Sequence, residues 1–375
     1  MYSIILFFKD GSPMIVVTYG NDITRNTCDT LAASDISAYL RAGMAVSIKP
    51  NLVVPCPASD GATTHPGIVA GIILFLKDFG VKNIKIIESS WVGDSTKRAF
   101  KYCGYEELSQ KYDLPLIDLK SDSYKTYNYD GYKIAICDEA MNTDFLINVP
   151  VLKAHCQTRF TCCMKNLKGC IPDSEKRRFH TLGIHKPVAA LNMLLKTGYC
   201  VVDGICGDLS FEEGGNPVDS KRIIAGRDPL LIDSYCAELI GYRPDEIEYI
   251  SYGKKFGLGE YFSQKTKLVE LNSGAKPIFD IKRDRTPDKY KSLISEDAAC
   301  SACYSSLIHA LHRMGGNPGP YGKIHIGQGC KGKTGSGIGV GNCALGFEKS
   351  IPGCPPKATE IISGFLTAAL KIVIK

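Results

Sequence analysis

The chain is 375 residues long, 44% hydrophobic and 22% charged, with no low-complexity tract, which favours two domains and excludes a disordered chain. Its formal net charge of +6 is small, and its lysines and arginines are interleaved with acids, so nucleic acid is not an expected partner while an anionic small molecule is. No window reaches the roughly 18 apolar residues of a membrane span. The opening MYSIILFFKD has no positive region before its short apolar run, so neither a signal peptide nor a membrane span is expected. A chain without an export signal is expected in the cytoplasm, a reducing compartment. There its sixteen cysteines read as metal ligands, catalytic groups or buried apolar side chains before they read as disulfides.

From Met44 the sequence alternates strand-like runs with helical periodicity. AVSIKPNLV reads as a strand ending at Lys49, Pro50 and Asn51, and HPGIVAGIILFLKDFG as a helix with Thr64 as N-cap, Pro66 in its first turn and Gly80 as its stop. NIKIIES is the next strand, and a strand, helix and strand of these lengths make a parallel βαβ unit. STKRAFKYCGY reads as a helix, LPLIDLK as a strand, YKIAICDEA as an edge or hairpin strand, and DFLINVPVLKAH as one buried strand with Lys153 and His155 at its carboxyl end. TRFTCCMKNLKGC and HKPVAALNMLLKTG read as helices, GYCVVDGI and KRIIAGR as strands, and DPLLIDSYCAELIGY as a helix. A polar, charged stretch from about Asp280 to Ser295 marks a junction between a body, 1–285, and a C-terminal domain, 286–375. That domain holds the helix DAACSACYSSLIHALHRM, the strand KIHIGQG, a glycine-rich loop and the amphipathic helix IISGFLTAALKIVIK. The expected fold class is α/β, a mostly parallel sheet with flanking helices, plus a small cysteine-rich segment.

In open α/β sheets, ligands bind beyond the carboxyl ends of the strands. Those ends carry Lys49 and Asn51, Glu88, Lys153 and His155, Asp203 and Gly204, then Gly226 and Asp228. Residues two apart on a strand share a face, so Lys153 and His155 form the expected catalytic pair, an ammonium and an imidazole for proton transfer or anion binding. Lys49, Asn51, Lys165, Asn166, His180 and Asp203 are the expected substrate-binding residues. The basic run through Arg177 and Arg178 also reads as a solvated helix face, and Asp203-Gly204 as a turn. Neither FEEGGNP nor GKTGSGIGVGN matches a phosphate-binding loop.

Cys300 and Cys303 form C-x2-C at a helix start, where two thiolates reach one metal centre and the helix terminus steadies their charge. Cys343 and Cys354, in GVGNCALGFEKSIPGCPP, add two thiols. Four such thiols suit zinc or an iron–sulfur cluster. The Cys354-Pro355 step and the missing second C-x2-C favour a [4Fe-4S] cluster, with Cys330 as a fifth candidate. Cys156, Cys162, Cys163 and Cys170 form a second concentration, read as buried or site-lining thiols, because on one helix Cys163 and Cys170 would share a face and Cys162 would not. Cys28, Cys56, Cys103, Cys137, Cys200, Cys206 and Cys236 read as solitary.

The succession KPNLV, ATTHP, IIES, NVPVLKAH, MKNLKGC, VVDGICG and IAGRDPLLID, followed by a cysteine-bearing tail, resembles the large prokaryotic family of domain of unknown function 362. The likeness runs from about Val46 to the C-terminus, and its specific part is the K-x-H…K-N-L-x-G and DG…AG-x-DP-x-x-x-D blocks. It implies an α/β body with a cluster-binding segment, usually in anaerobic or facultative prokaryotes, and no particular reaction. Many relatives carry a ferredoxin-like tail with two tight cysteine runs, from which this chain departs. The PGCPP ending is similar, over a few residues, to the cluster loop of hydrogenase small subunits. The expectation is an iron–sulfur redox protein or oxidoreductase relaying electrons between a donor or acceptor protein and an anion-binding cleft. The alternatives are a binding or maturation factor with a structural cluster or zinc, and a Lys/His acid–base enzyme.

Overall fold

A computed structural model describes residues 13–278, 281, 286–318 and 322–373. The opening apolar run, part of the 280–295 stretch and the last two residues lie outside the described residues. The chain divides into two compact units, one of Met1–Ala154, Thr158–Lys176 and His185–Arg283, the other of His155–Gln157, Arg177–Ile184 and Asp284–Lys375.

Eight strands of the first unit form one sheet. In chain order they are β1 (Met14–Tyr19), β2 (Ala45–Pro50), β3 (Asn83–Glu88), β4 (Leu116–Asp118), β5 (Phe145–Val149), β6 (Tyr199–Asp208), β7 (Pro217–Gly226) and β8 (Lys267–Leu271). Across the sheet the order is β8-β1-β7-β6-β5-β2-β3-β4. The run from β6 to β4 is parallel, as is β8 with β1, while β7 is antiparallel to both its neighbours. The fold is therefore mixed α/β with a mostly parallel sheet, and β1, with the helix Ile23–Ala32 after it, precedes the first element read from sequence.

Alternation along the strands sets the two faces. Val46, Ile48, Ile84, Ile86, Ile147 and Val201 pack with Ile68, Ile72 and Leu76 of the helix Pro66–Phe79 in one apolar core. On the opposite face Asn148 donates to the Cys163 carbonyl at 2.8 Å, which ties the helix Cys163–Asn166 to β5. Helices thus flank the sheet, and strands covered on both faces explain the near-continuous Ile and Val runs.

Four local expectations are corrected. The N-cap of Pro66–Phe79 is His65, whose Nδ1 accepts the Gly67 N–H at 3.0 Å. Thr64 is taken up elsewhere, donating to the Val149 carbonyl and accepting from the Asn51 N–H. DFLINVPVLKAH is not one strand: β5 stops at Val149 and Lys153–His155 is a separate short strand. Pro150 has no N–H with which to continue the ladder. TRFTCCMKNLKGC is a strand, Arg159–Thr161, a one-turn helix and a 3-10 turn, Leu167–Cys170, because β-branched threonines and Gly169 hold its helix propensity down.

The last correction lies in the second unit, a four-stranded parallel sheet of Ile294–Glu296, Ile324–Ile326, Gly335–Val340 and Phe347–Ile351 with helices Ser301–Arg313 and Ala358–Val373. The glycine-rich stretch is a strand and not a loop. A Cβ on Gly339 would stand 1.9 Å from the Ala344 carbonyl oxygen, so glycine serves close backbone approach there. No helix of the described residues is long and apolar enough to cross a membrane.

Candidate functional site

The chain leaves β2 for β3 and β4 on one side and later returns to build β5 on the other. Such a reversal opens the crevice in which open α/β sheets bind ligands. Lys49 and Asn148 are paired residues at the carboxyl ends of the two strands that flank it.

A continuous polar row fills this position. Lys49 Nζ donates to both oxygens of Glu88, at 2.9 and 3.1 Å, and to the Pro50 carbonyl at 2.9 Å. Glu88 also accepts the Leu52 and Ser89 N–H groups. Asn166 Oδ1 accepts from Lys49 Nζ at 3.4 Å and from Asn51 Nδ2 at 2.9 Å, and its Nδ2 donates to Asn148 Oδ1 at 2.8 Å. Asn51 Oδ1 accepts from Lys153 Nζ, which also donates to the Ala62 and Glu212 carbonyls at 2.6 and 2.8 Å. Lys49, Glu88, Asn148, Lys153 and Asn166 are all buried. Burial lowers the Lys153 ammonium to about 8 against the pull of Glu212.

The structure thus unites Lys49, Asn51, Lys153 and Asn166, but as an interior network whose two ammonium groups are already taken by protein oxygens. Gly169, the last residue of the K-N-L-x-G block, closes it. A Cβ there would stand 2.2 Å from Glu88 Oε1 and 2.5 Å from Lys49 Nζ. Gly169→Ala should therefore cost about 1–3 kcal/mol by overpacking, read by urea unfolding, and an unchanged midpoint would mean that the ion pair moves aside freely.

Lys165 Nζ donates to Thr161 Oγ1 at 3.3 Å. His155 and His180 belong to the second unit, where His155 Nδ1 accepts the Gln157 N–H at 3.1 Å and His180 Nε2 lies 3.5 Å from Ser301 Oγ. Lys153 belongs to the first, so the unit boundary runs between the two members of the expected catalytic pair.

Asp203 lines a cleft of about 640 Å³ with His65, Tyr102, Cys103 and Cys206. Its oxygens accept the His65 and Ile205 N–H groups at 2.7 and 2.9 Å. Burial raises its carboxyl from 3.8 to about 6 despite those donors. A folded value above the unfolded one makes its contribution to stability full below about pH 4 and lost as pH rises through 6. Two units correspond to about 3 kcal/mol. The stability of the native chain minus that of Asp203→Asn should fall by about 2–3 kcal/mol between pH 4 and 8, and a flat difference would show that burial does not raise this carboxyl.

In the second unit, the C-x2-C pair begins the helix Ser301–Arg313 with Cys300 as N-cap. Gln157 Nε2 donates to Glu296 Oε1 and the Ala299 carbonyl, and Ser301 Oγ donates to Gln157 Oε1, which fixes the approach to Cys300. Asn342 clamps the other two cysteines: its N–H donates to the Gly353 carbonyl at 2.9 Å and its Oδ1 accepts the Gly353 N–H at 2.7 Å, joining the Cys343 turn to the Cys354 loop. Burial, then the neighbouring Cys300, Cys354 and Cys343, push the Cys303 thiol up to about 12. Among the described residues, only Cys162, Cys163 and Asp233 bring three ligand atoms within 4.8 Å of one another. No three of the C-terminal sulfurs do so. Cys330 is buried, its thiol raised by burial and by Asp297.

Sequence reasoning missed Asn148, Asp233, Cys200 and Cys236. The usable signal for the first two was one polar residue inside an apolar run, in FLINVPV and in PLLIDSYC. Cys200 and Cys236 are not solitary, since Cys236 interacts with Cys162 and Cys200 with Cys163.

These observations define a mixed α/β protein with a buried polar row at the sheet's switch point. The family described as domain of unknown function (DUF362) matches residues 46–238, just over half of the chain, and the chain belongs to that family. The thylakoid-associated protein sll1697 of Synechocystis sp. is 25% identical over 239 residues, 61% of this chain and 73% of that protein. The lactate racemase apoprotein from Thermoanaerobacterium thermosaccharolyticum is similar with a TM-score of 0.40 and 12% identity, covering 63% of this chain and 59% of that one. A likeness of that size carries no argument about fold or activity.

Proposed function

We propose that the protein is an iron–sulfur protein that holds a [4Fe-4S] cluster on Cys300, Cys303, Cys343 and Cys354. The observation that carries this reading is the gathering of four thiols, since Cys303 interacts with Cys300, Cys354 and Cys343. The Cys354-Pro355 step and the absence of a second C-x2-C in the sequence favour a cluster over zinc. Gly341 and Gly353 have φ of 90° and 138°, backbone conformations that favour glycine, and a Cβ on Gly341 would touch Cys303 Sγ at 3.7 Å, which puts the Cys343 turn against the C-x2-C pair. When bound, such a cluster supplies one-electron transfer.

The natural task for that electron is exchange with a partner protein or with a molecule in the cleft of Asp203 and His65. In this reading Lys153 positions the polar row and does not carry protons, because three oxygen acceptors hold its ammonium. Anaerobic purification with iron, sulfide and zinc analysis, plus EPR before and after dithionite, tests the proposal. About four irons and four sulfides per chain with a reducible signal are expected. One zinc at these cysteines and no sulfide would overturn it in favour of a structural metal. Asn342→Ala should lower iron retention on dilution by about tenfold, since it unties the Cys343 and Cys354 loops, and native retention would remove the clamp from the site.

A further inference from the structure

The first unit buries a second group of titratable side chains, apart from the polar row. Cys162 and Cys163 lie side by side where the helix Cys163–Asn166 begins, with their sulfurs 3.8 Å apart. Asp233, on the helix Pro229–Leu239, is held against them: Oδ1 accepts the Cys163 N–H at 2.7 Å and Oδ2 the Met164 N–H at 3.0 Å. The three ligand atoms fall within 4.8 Å of one another. Cys236 follows Asp233 by one helical turn and interacts with Cys162, while Cys200, on β6, interacts with Cys163. All five residues have zero solvent exposure.

Asp233 accepts two backbone N–H groups at a helix start and also stands within 4.8 Å of the Cys162 and Cys163 sulfurs. Burying an anion there is costly unless a cation balances it. The separation of the first two sulfurs matches the edge of a tetrahedron around an ion with metal–sulfur bonds of about 2.3 Å. The two N–H bonds to Asp233 fix its orientation without using its remaining lone pairs, as outer-sphere donors do for carboxylate ligands. Thiolates select soft d10 ions over calcium or magnesium, and a carboxylate among them favours zinc over copper(I). With no donor facing solvent, the site has no open position, which makes it structural.

We propose that Cys162, Cys163 and Asp233 hold a zinc ion inside the α/β body, with Cys236 and Cys200 as the neighbouring thiols from which a fourth ligand would come. Each ligating group gives up its proton to solvent as the ion enters during folding. The site has a consequence for the polar row. The helix that begins at Cys163 carries Asn166, and Asn148 hydrogen-bonds both the Cys163 carbonyl and Asn166. The ion would therefore set the element that delivers Asn166 to Lys49.

The full chain, purified in its native form and as Cys303→Ser/Cys354→Ser, is analysed for zinc. About one zinc per chain is expected in both, falling about tenfold or more in Cys162→Ser and Cys163→Ser. Cys137→Ser, a buried thiol outside the group, should keep it. If the Cys162→Ser and Cys163→Ser chains fail to fold, the Cys303→Ser/Cys354→Ser chain decides: refolded with cobalt(II), it should show thiolate-to-cobalt absorption and tetrahedral d–d bands. Zinc retained in Cys162→Ser, or a chain that refolds fully under chelator with no zinc and no cobalt bands, overturns the proposal. Because zinc and cobalt are read where the C-terminal cysteines are broken, failure of the iron–sulfur reading leaves this test intact.

Discussion

With a cluster held as proposed, Cys303→Ser and Cys354→Ser should each strip its iron and unfold the second unit, while the first unit stays folded. The second unit has a modest core, drawn from Tyr304, Leu307, Ile308, Leu311, Ile324, Ile326, Ile338, Val340, Ile361 and Phe365. Four-ligand metal sites in small domains contribute on the order of 10 kcal/mol to folding, more than a domain's usual net stability of about 5–15 kcal/mol can spare. Limited proteolysis should then cut first within 286–375, and iron should fall about tenfold or more in each variant. Serine keeps the size of cysteine and loses the soft thiolate, so the effect reports ligation and not packing. Full iron content in both variants would remove these cysteines from the ligand set.

The second large effect belongs to the polar row. Lys49→Met should destabilise the first unit by about 3–5 kcal/mol, because it leaves the Glu88 carboxylate buried without a cation. Lys49 and Glu88 side chains are 1% and 3% exposed, so solvent cannot substitute for either. Adding Glu88→Gln to Lys49→Met should recover more than half of that loss. Glutamine removes the charge yet still accepts from the Leu52 or Ser89 N–H, the donors that a leucine would abandon. Urea unfolding of the two single variants and the double variant closes the cycle. Additive losses would show that Lys49 and Glu88 are not energetically coupled, against the bond distances.

The body of the fold was legible because its signals are local. Pro66 and Gly80 bracket their helix as read, and the apolar runs at β2, β3 and β5 mark parallel strands covered on both faces. What failed was what depends on tertiary partners. Thr64 had the right chemistry for an N-cap, but the Val149 carbonyl claimed its hydroxyl and His65 took the role. The glycines of 335–340 looked like a loop, and only the closeness of the Ala344 and Lys323 carbonyls shows why a strand needs them.

The site was legible in its members and not in its character. Lys49, Asn51, Lys153 and Asn166 were identifiable as polar residues at or near strand ends, and they do meet. That the strand ends at Pro150, that Gly169 seals the row and that carbonyls absorb the Lys153 donors are facts about distant segments. The cysteines show the same limit. Residue spacing along one presumed helix separated Cys162 from Cys163, whereas a strand and a second helix contribute Cys200 and Cys236 to the same place.

The second unit is stitched from three stretches of chain: His155–Gln157, Arg177–Ile184 and Asp284–Lys375. Gln157 holds the loop before Cys300, and the Arg177 carbonyl accepts from Gln328 Nε2 at 3.1 Å. A gene fragment encoding 286–375 alone would omit both. The unit therefore cannot be shuffled between proteins by a single terminal fusion, as a ferredoxin-like tail can. Its inheritance is tied to the body that encodes its missing pieces, and a lineage can lose the terminal stretch only by leaving two orphaned insertions behind.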